Sequence, residues 1–487
     1  MKNHTISALF VLALTGCAIS TPPTSVALAT PPQWYAPLPH QGNLANLSQW
    51  WQQQNDALLV SLIEAAQLVS PGIATARSNI EQARAQRTAS QADLMPDLGA
   101  TASFSRSRSA PQNQQAPAPT NLGQLGLQAQ WELDLFGGKH ATRNADQARL
   151  QGAQALWHDA RVSVAAEVAL QYYSFRACEK LLAVAQADSR SRSETARLSA
   201  LVTKAGFEAP ATAALARASA AESKSRASQQ AALCDIDIKA LVALTALPEP
   251  ELRQKLEQSR PASSLVLAEA SSQVMPAISS VPATVLEQRP DVFNAAREVA
   301  AASYDIGTAK ALRYPNLSLS GSITTGKTRS GGISQGFNAW SVGPISLTGP
   351  LFDGGASLAN IDAATARYEE ASDKYRNTAR QAVREVEEAL VKLQSTGDRA
   401  ADALVAAEGY NASFGGTEAR YKAGLASLVE LEDSRRNLLA AQSAVISLER
   451  ERKNAWIALY RALGGGWSSA AADMPVQTSR SSQASQP

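Results

Sequence analysis

From Gln124 to Leu133 the residue character switches at every step: Leu125, Leu127, Ala129, Trp131 and Leu133 alternate with Gln124, Gly126, Gln128, Gln130 and Glu132. A period of two predicts a β-strand with one apolar and one polar face. Further on, Leu317, Leu319, Gly321 and Ile323 alternate with Ser318, Ser320, Ser322 and Thr324, and a less regular strand is expected from about Phe337 to Leu347. Segments of about ten residues with this alternation match transmembrane β-strands. Polar stretches from Arg106 to Thr120 and from Gly326 to Gly336 are expected as solvated loops. Four strands cannot close a barrel, because about eight is the practical minimum and an open edge in lipid is prohibitive. If these strands face lipid, other copies of the chain complete the barrel; a small soluble sheet with one wet face is the other reading.

The remaining pattern is helical. A first helix is expected from Asp56 to Asp93 and its counterpart from Asp291 to Ala311, each followed by a proline that cannot continue it. Two proline-free, Ala-rich helices follow, Lys139 to Thr203 and Ser357 to Tyr421, each reaching about 90 Å at 1.5 Å per residue. Leu150, Trp157 and Val164 recur every seven residues, as do Leu431, Leu438 and Val445, the seam of a coiled coil. Both long helices turn back through tight tips, Ala205 to Pro210 and Ala423 to Ser427.

These elements come in two copies. Pro71 matches Pro290, Pro96 matches Pro315, Gly138 matches Gly355 and Gly206 matches Gly424, all at a spacing near 218 residues. The expected division is a signal peptide over 1–16, a lipid-anchored strap over 17–55 and repeat 1 over 56–246, with strands about 97–135 and a tip about 205–210. An equatorial connector over 247–287, where prolines and serines break the pattern, leads to repeat 2 over 288–463, with strands about 316–348 and a tip about 423–427. A C-terminal strap and polar tail occupy 464–487. The connector, the C-terminal strap and the N-terminal stretch with Trp34, Trp50 and Trp51 read as belts around the helices.

Composition narrows the function. Among 487 residues, 45 Lys and Arg face 43 Asp and Glu, a net charge of +2 that offers no basic excess for nucleic acid. Mean hydropathy is −0.18, and no run of about 18 apolar residues follows the N-terminus, which excludes a bundle of transmembrane helices. Lys2 and the apolar run Ile6 to Leu14 read as a signal peptide, and Leu14-Thr15-Gly16-Cys17 looks like a bacterial lipobox, with Cys17 as the expected lipidated residue; an ordinary signal peptide with an incidental cysteine is the other reading. Ala18 is not the aspartate that signals inner-membrane retention in such lipoproteins, so the outer membrane is the expected destination. Cys178 lies 28 residues before Gly206 and Cys234 lies 28 after it, so folding at that glycine brings them level. In an oxidising periplasm this predicts a disulfide, with two buried free thiols as the alternative.

Enzymatic motifs are absent or out of context. Gly321 to Thr328 fits the P-loop pattern, yet it lacks a following helix to cradle phosphate. His40, His140 and His158 stand near no nucleophile, His4 lies in the signal, and neither paired-Cys nor HExxH ligands occur. No catalytic, cofactor-binding or metal site is expected; the covalent lipid on Cys17 is the only attached group.

The lipobox, the two helix-strand-strand-helix-hairpin repeats and the Phe-Gly-Gly or Phe-Asp-Gly-Gly strand exits resemble the TolC-like outer-membrane factors of tripartite efflux systems. Leu286-Glu287-Gln288-Arg289-Pro290-Asp291-Val292, Arg420 to Leu425 and Ala462 to Trp467 look like the NodT-type lipoprotein branch that serves RND pumps. The resemblance implies a mainly α protein with membrane β-structure: a homotrimer whose twelve-stranded β-barrel continues into a periplasmic α-barrel of long coiled-coil hairpins, with a mixed equatorial region. It implies a passive exit channel in outer-membrane lipid, working with a periplasmic adaptor (membrane fusion) protein and an RND inner-membrane transporter. The tips that would meet the adaptor hold Lys204, Ala205 and Gly206, and Lys422, Ala423, Gly424, Leu425 and Ser427. Alignment to the family's tip places Asp433 and Arg436 as a gating acid and base that would hold an iris shut, with Glu430 and Glu432 nearby as further gate carboxylates. A solvated ion pair three residues apart is the plainer reading of Asp433 and Arg436. A periplasmic coiled-coil structural or adaptor lipoprotein without a barrel is the alternative function.

Overall fold

The structure, a computed structural model, describes residues 19–28, 51, 56–108, 118–260, 286 and 288–467. Cys17, expected to carry the lipid, together with the expected signal peptide, most of the strap over 17–55, most of the connector and the tail after Trp467, lies outside the described residues.

In chain order the elements are α1 (Ala57–Val69), α2 (Pro71–Ala92), β1 (Asp97–Ser107), β2 (Thr120–Leu133), α3 (Gly138–Lys204), α4 (Pro210–Thr245), α5 (Glu249–Gln258), α6 (Pro290–Ala311), β3 (Asn316–Ser330), β4 (Ile333–Thr348), α7 (Ala356–Lys422) and α8 (Leu428–Ala462). The single helix expected from Asp56 to Asp93 is two helices bent by 49°. Ser70 takes an extended conformation because Pro71 follows it, and a residue before proline is driven out of the helical region. The long helices start alike. The Asp134 carboxylate accepts from the backbone N–H of Lys139 and His140, and the Asp353 carboxylate accepts from those of Gly355 and Ser357, so each glycine-rich exit is a helix cap.

Two compact units each draw on both repeats. One comprises residues 1–28, 78–154 and 294–377. It holds an antiparallel sheet of order β1-β2-β3-β4, whose edge strands β1 and β4 have no further strand partner among the described residues. The registers align Ala100, Leu127, Ile323 and Trp340 in one row and Leu133, Leu317 and Leu347 in another, so one face is apolar from strand to strand. On the other face Gln128, Ser322 and Ser341 share a row. Leu98, Leu125, Ile323, Trp340, Val342, Ile345 and Leu347 are all exposed. The stretch Gly326 to Gly336 is strand and turn, correcting the loop expected there. Gly331 and Gly332, with φ of 57° and 87°, meet the two positive φ values of a tight hairpin, and β4 begins at Ile333. Gly326 is needed for close approach, since a Cβ there would come within 2.6 Å of the Phe337 ring. The P-loop-like segment Gly321 to Thr328 lies wholly inside β3. Where α3 meets α6, Ala145, Ala148, Ala300 and Ala301 are buried together, the close contact that an Ala-rich sequence permits.

The other unit comprises residues 29–77, 155–293 and 378–487. Its core gathers Leu59 and Leu62 of α1, Val168 and Tyr172 of α3, Leu241 of α4, Leu252 and Leu256 of α5, Leu390 of α7 and Leu459 of α8, with Trp51 edge-on to Tyr460. Burying each such leucine contributes about 2 kcal/mol. Helix α5 occupies a stretch expected to lack pattern: Pro248 and Pro250 suit a helix start, and Leu252 and Leu256 fall on one face one turn apart. Cys178 and Cys234 are joined by a disulfide across α3 and α4, with Cα atoms 5.5 Å apart. Arg289, nearly buried, ties Asp291, Glu385 and the Ala462 carbonyl together. Gly464 sits so close to Gln288 that a Cβ would come within 2.3 Å of its carbonyl, so the two sequence signatures around Arg289 and Gly464 pack on each other.

Candidate functional site

Both hairpin tips are built the same way. At the end of α3, Gly206 has φ +81°, its N–H donates to the Thr203 carbonyl and the Phe207 N–H donates to that of Val202. At the end of α7, Gly424 has φ +74°, its N–H donates to Tyr421 and the Leu425 N–H donates to Arg420. This glycine-centred double bond terminates a helix by satisfying its last carbonyls, and glycine supplies the positive φ without strain. Lys204 and Lys422 close their helices, Ala205 and Ala423 precede the glycines, and each turn displays an apolar residue next: Phe207 is 87% exposed and Leu425 71%. The return helices start differently. Pro210 takes the first position of α4, whereas Ser427 caps α8 in a reciprocal box with Glu430.

The four acids and bases singled out in α8 have three distinct environments. Asp433 and Arg436 pair with each other on an exposed surface. Glu430 accepts from the Ser427 N–H at 2.7 Å, and that backbone bond, with the Ser427 hydroxyl and Arg420 adding, holds its carboxyl below the usual range. Glu432 points into the chain: it accepts from Ser219 of α4 at 2.9 Å, from Arg192 of α3, and from Arg435 at 2.7 Å.

Arg192 and Arg435 were not expected from the sequence. The Nε of Arg192 donates to Asp188 at 2.8 Å, and Arg435, with a side chain only 3% exposed, donates to Ser191 and Thr195 and lies over the Phe414 ring. Asp188, Arg192, Glu432 and Arg435 thus form a quartet of two acids and two bases linking the two hairpins, with all but the half-buried Glu432 fully buried. Burial, reinforced by the nearby Arg192, lowers the Arg435 pKa from its ordinary value, and Asp188, Glu418 and Tyr421 oppose that shift. The sequence signal was faint: Asp188 and Arg192 four apart, Glu432 and Arg435 three apart, in helices already rich in such spacings.

Of the remaining residues considered for chemistry, His140 is exposed and bonds to Asp134, while His158, its pKa pushed down to about 4 by burial and then by Arg161, packs edge-on against Trp157.

The family model for outer membrane efflux proteins matches residues 62–247 and 281–465, one stretch per repeat. Outer membrane protein OprJ of Pseudomonas aeruginosa is 30% identical over 95% of this chain and 96% of its own length. Nodulation protein T of Rhizobium leguminosarum bv. trifolii is 28% identical over 86% of this chain and 88% of its own. The crystal structure of a membrane protein from Pseudomonas aeruginosa superposes with a TM-score of 0.81 at 25% identity, covering 92% of this chain and all of that one. The chain belongs to the outer membrane efflux protein family, in its TolC-like, NodT-type branch: it is an outer-membrane efflux channel, a passive conduit and not an enzyme.

Proposed function

We propose that three copies of this chain form the exit duct of an RND-type tripartite pump, anchored by lipid on Cys17, its hairpin tips meeting a periplasmic adaptor and closing as an iris at rest. The observation that carries this reading is the sheet: an unbroken apolar face with both edges, β1 and β4, unpaired among the described residues. An unpaired edge in lipid costs several kcal/mol per exposed backbone group, so β4 of one copy pairs with β1 of the next until the ring closes at twelve strands. A coiled-coil lipoprotein without a barrel has no use for such a face.

Two further features support the parts of this reading. The carbonyls of Ser20, Pro22 and Pro23 accept from Lys310, Ser303 and Tyr368 at 2.6, 2.6 and 2.9 Å, so the chain just beyond Cys17 is held against α6 and α7. Exposed Phe207 and Leu425 offer matched apolar points at the two tips for a partner. The pump supplies the energy and the duct supplies a path; adaptor binding opens the tips by favouring the dilated state.

The test is planar-bilayer conductance of the purified mature protein, wild type against Asp433→Ala plus Arg436→Ala. A small, mostly closed conductance that rises in the double variant supports duct and gate together. Equal, sizeable conductance keeps the duct and removes these two residues from the gate. Silence from inserted, oligomeric protein overturns the duct.

A further inference from the structure

The apolar face of the sheet ends in cations. Following that face away from the helices, the row Ala102–Leu125–Thr325 gives way to Phe104–Gly123–Lys327, and then to Arg106–Asn121–Arg329. Arg106, Lys327 and Arg329 are exposed, and all three share the face of Leu98, Leu127, Ile323 and Trp340. The opposite polar face carries no cation at these rows: its neighbours there are Ser105, Ser107, Leu122, Thr120, Thr328 and Ser330. Nor does an acid balance them, since neither 98–131 nor 316–348 contains an Asp or Glu.

Such a one-sided arrangement is not what solubility requires. A solvated hairpin end would place its charges on the wet face, yet here they cap the greasy one. Arg106 and Arg329 stand two strands apart, ~10 Å between backbones, and Lys327 lies two residues along from Arg329. Side chains of that length can reach one multiply charged group from these backbone positions, and arginine's planar fork matches phosphate oxygens.

We propose that Arg106, Lys327 and Arg329 form a binding site for the phosphorylated headgroup of the glycolipid that makes up the outer leaflet. The proposal rests on the reading of the apolar face as lipid-facing. It goes beyond that reading by assigning one end of the band to the outer leaflet and to a charged lipid. The site is fully formed within one chain, so a closed barrel carries one per copy.

The experiment titrates the full-length purified protein in mixed micelles with a bis-phosphorylated lipid A, with the same glycolipid stripped of its phosphates, and with inorganic phosphate, reading binding by native mass spectrometry. Wild type is compared with Arg106→Gln/Lys327→Gln/Arg329→Gln and with the charge-keeping Arg106→Lys/Arg329→Lys. The phosphorylated lipid should bind wild type about ten- to a hundredfold more tightly than the triple glutamine variant, at roughly a factor of five per cation, and the lysine variant should keep most of the affinity. Equal binding by wild type and triple variant overturns the site. Equal binding of the phosphorylated and stripped lipids also overturns it, while keeping the lipid-facing sheet; displacement by millimolar inorganic phosphate assigns the cations to soluble anions and overturns the lipid source. Failure of wild type to take up any glycolipid or to insert into bilayers strikes the lipid-facing reading itself.

Discussion

Glu432 on the second hairpin is held by Arg192 on the first, and it is the one carboxylate that both buried arginines, Arg192 and Arg435, share. Removing it takes from both guanidinium groups the carboxylate they share, while Asp188, the direct partner left to Arg192, is also engaged by Arg226. Breaking a buried charge pair from one side costs about 3–5 kcal/mol, whereas an exposed pair is worth under about 1 kcal/mol. Glu432→Ala should therefore lower the denaturation midpoint of the helical signal strongly, and Asp433→Ala/Arg436→Ala barely at all, when both are followed by circular dichroism. Matching midpoints for the two variants would remove the quartet from the list of structural anchors.

The Cys178–Cys234 disulfide spans 56 residues of sequence and so restricts the unfolded chain around the whole first tip. Chain-entropy reasoning sets its contribution at about 4 kcal/mol. Reductant should lower the wild-type melting temperature to that of Cys178→Ser/Cys234→Ser and leave the variant itself unmoved. A variant that still responds to reductant would show that something else is being reduced.

Lys453 packs its ammonium over the Tyr173 ring, and burial, opposed by Glu449, brings its pKa down to about 8. The folded protein releases this proton before the unfolded chain does, so the unfolded state binds more protons between about pH 8 and the ordinary lysine value of 10.5. Stability from this group accordingly rises with pH across that window, and below it the burial penalty is paid in full. Unfolding free energies at about pH 7.5 and 9.5, both below the ordinary tyrosine value of 10.0 at which ionisation of the unfolded chain starts to oppose the trend, should rise in wild type. Lys453→Met should be more stable than wild type at the lower pH and should lose the rise.

Gly424 and Gly206 have no atom within 4 Å of where a Cβ would stand, so substitution there costs backbone strain alone. Gly424→Ala should cost about 1 kcal/mol and Gly424→Asn less, because asparagine tolerates the left-handed region. Hydrogen exchange at Gly424 and Leu425 is the direct readout: faster exchange in the alanine variant is expected, and unchanged protection would place the strain elsewhere.

Much of this architecture was legible because it is periodic or repeated. The long helices lie within a residue or so of where proline-free Ala-rich sequence put them, and the two-residue alternation found the apolar face. Where reading failed, a local signal had two meanings. Gly331 and Gly332 sit in a polar run that reads as loop, yet consecutive glycines are also what a two-residue hairpin demands. The connector's prolines hid α5, because proline ends one helix and begins another. Pro71 was visible as a landmark, but its effect falls on Ser70, one residue earlier. The quartet was illegible for a different reason: nothing within α3 indicates that Asp188 and Arg192 face α8, since that pairing exists only once the hairpins are side by side.

The unpaired edges of β1 and β4 also bear on heredity. A chain whose last strand cannot pair does not merely fail alone; in a mixed population it takes up a place in a ring and leaves it open. Because every barrel needs each of its members sound, a minority of faulty copies spoils a majority of ducts. Lesions at these two strands should therefore act as dominant alleles, whereas lesions that unfold the chain before it meets its siblings should be recessive.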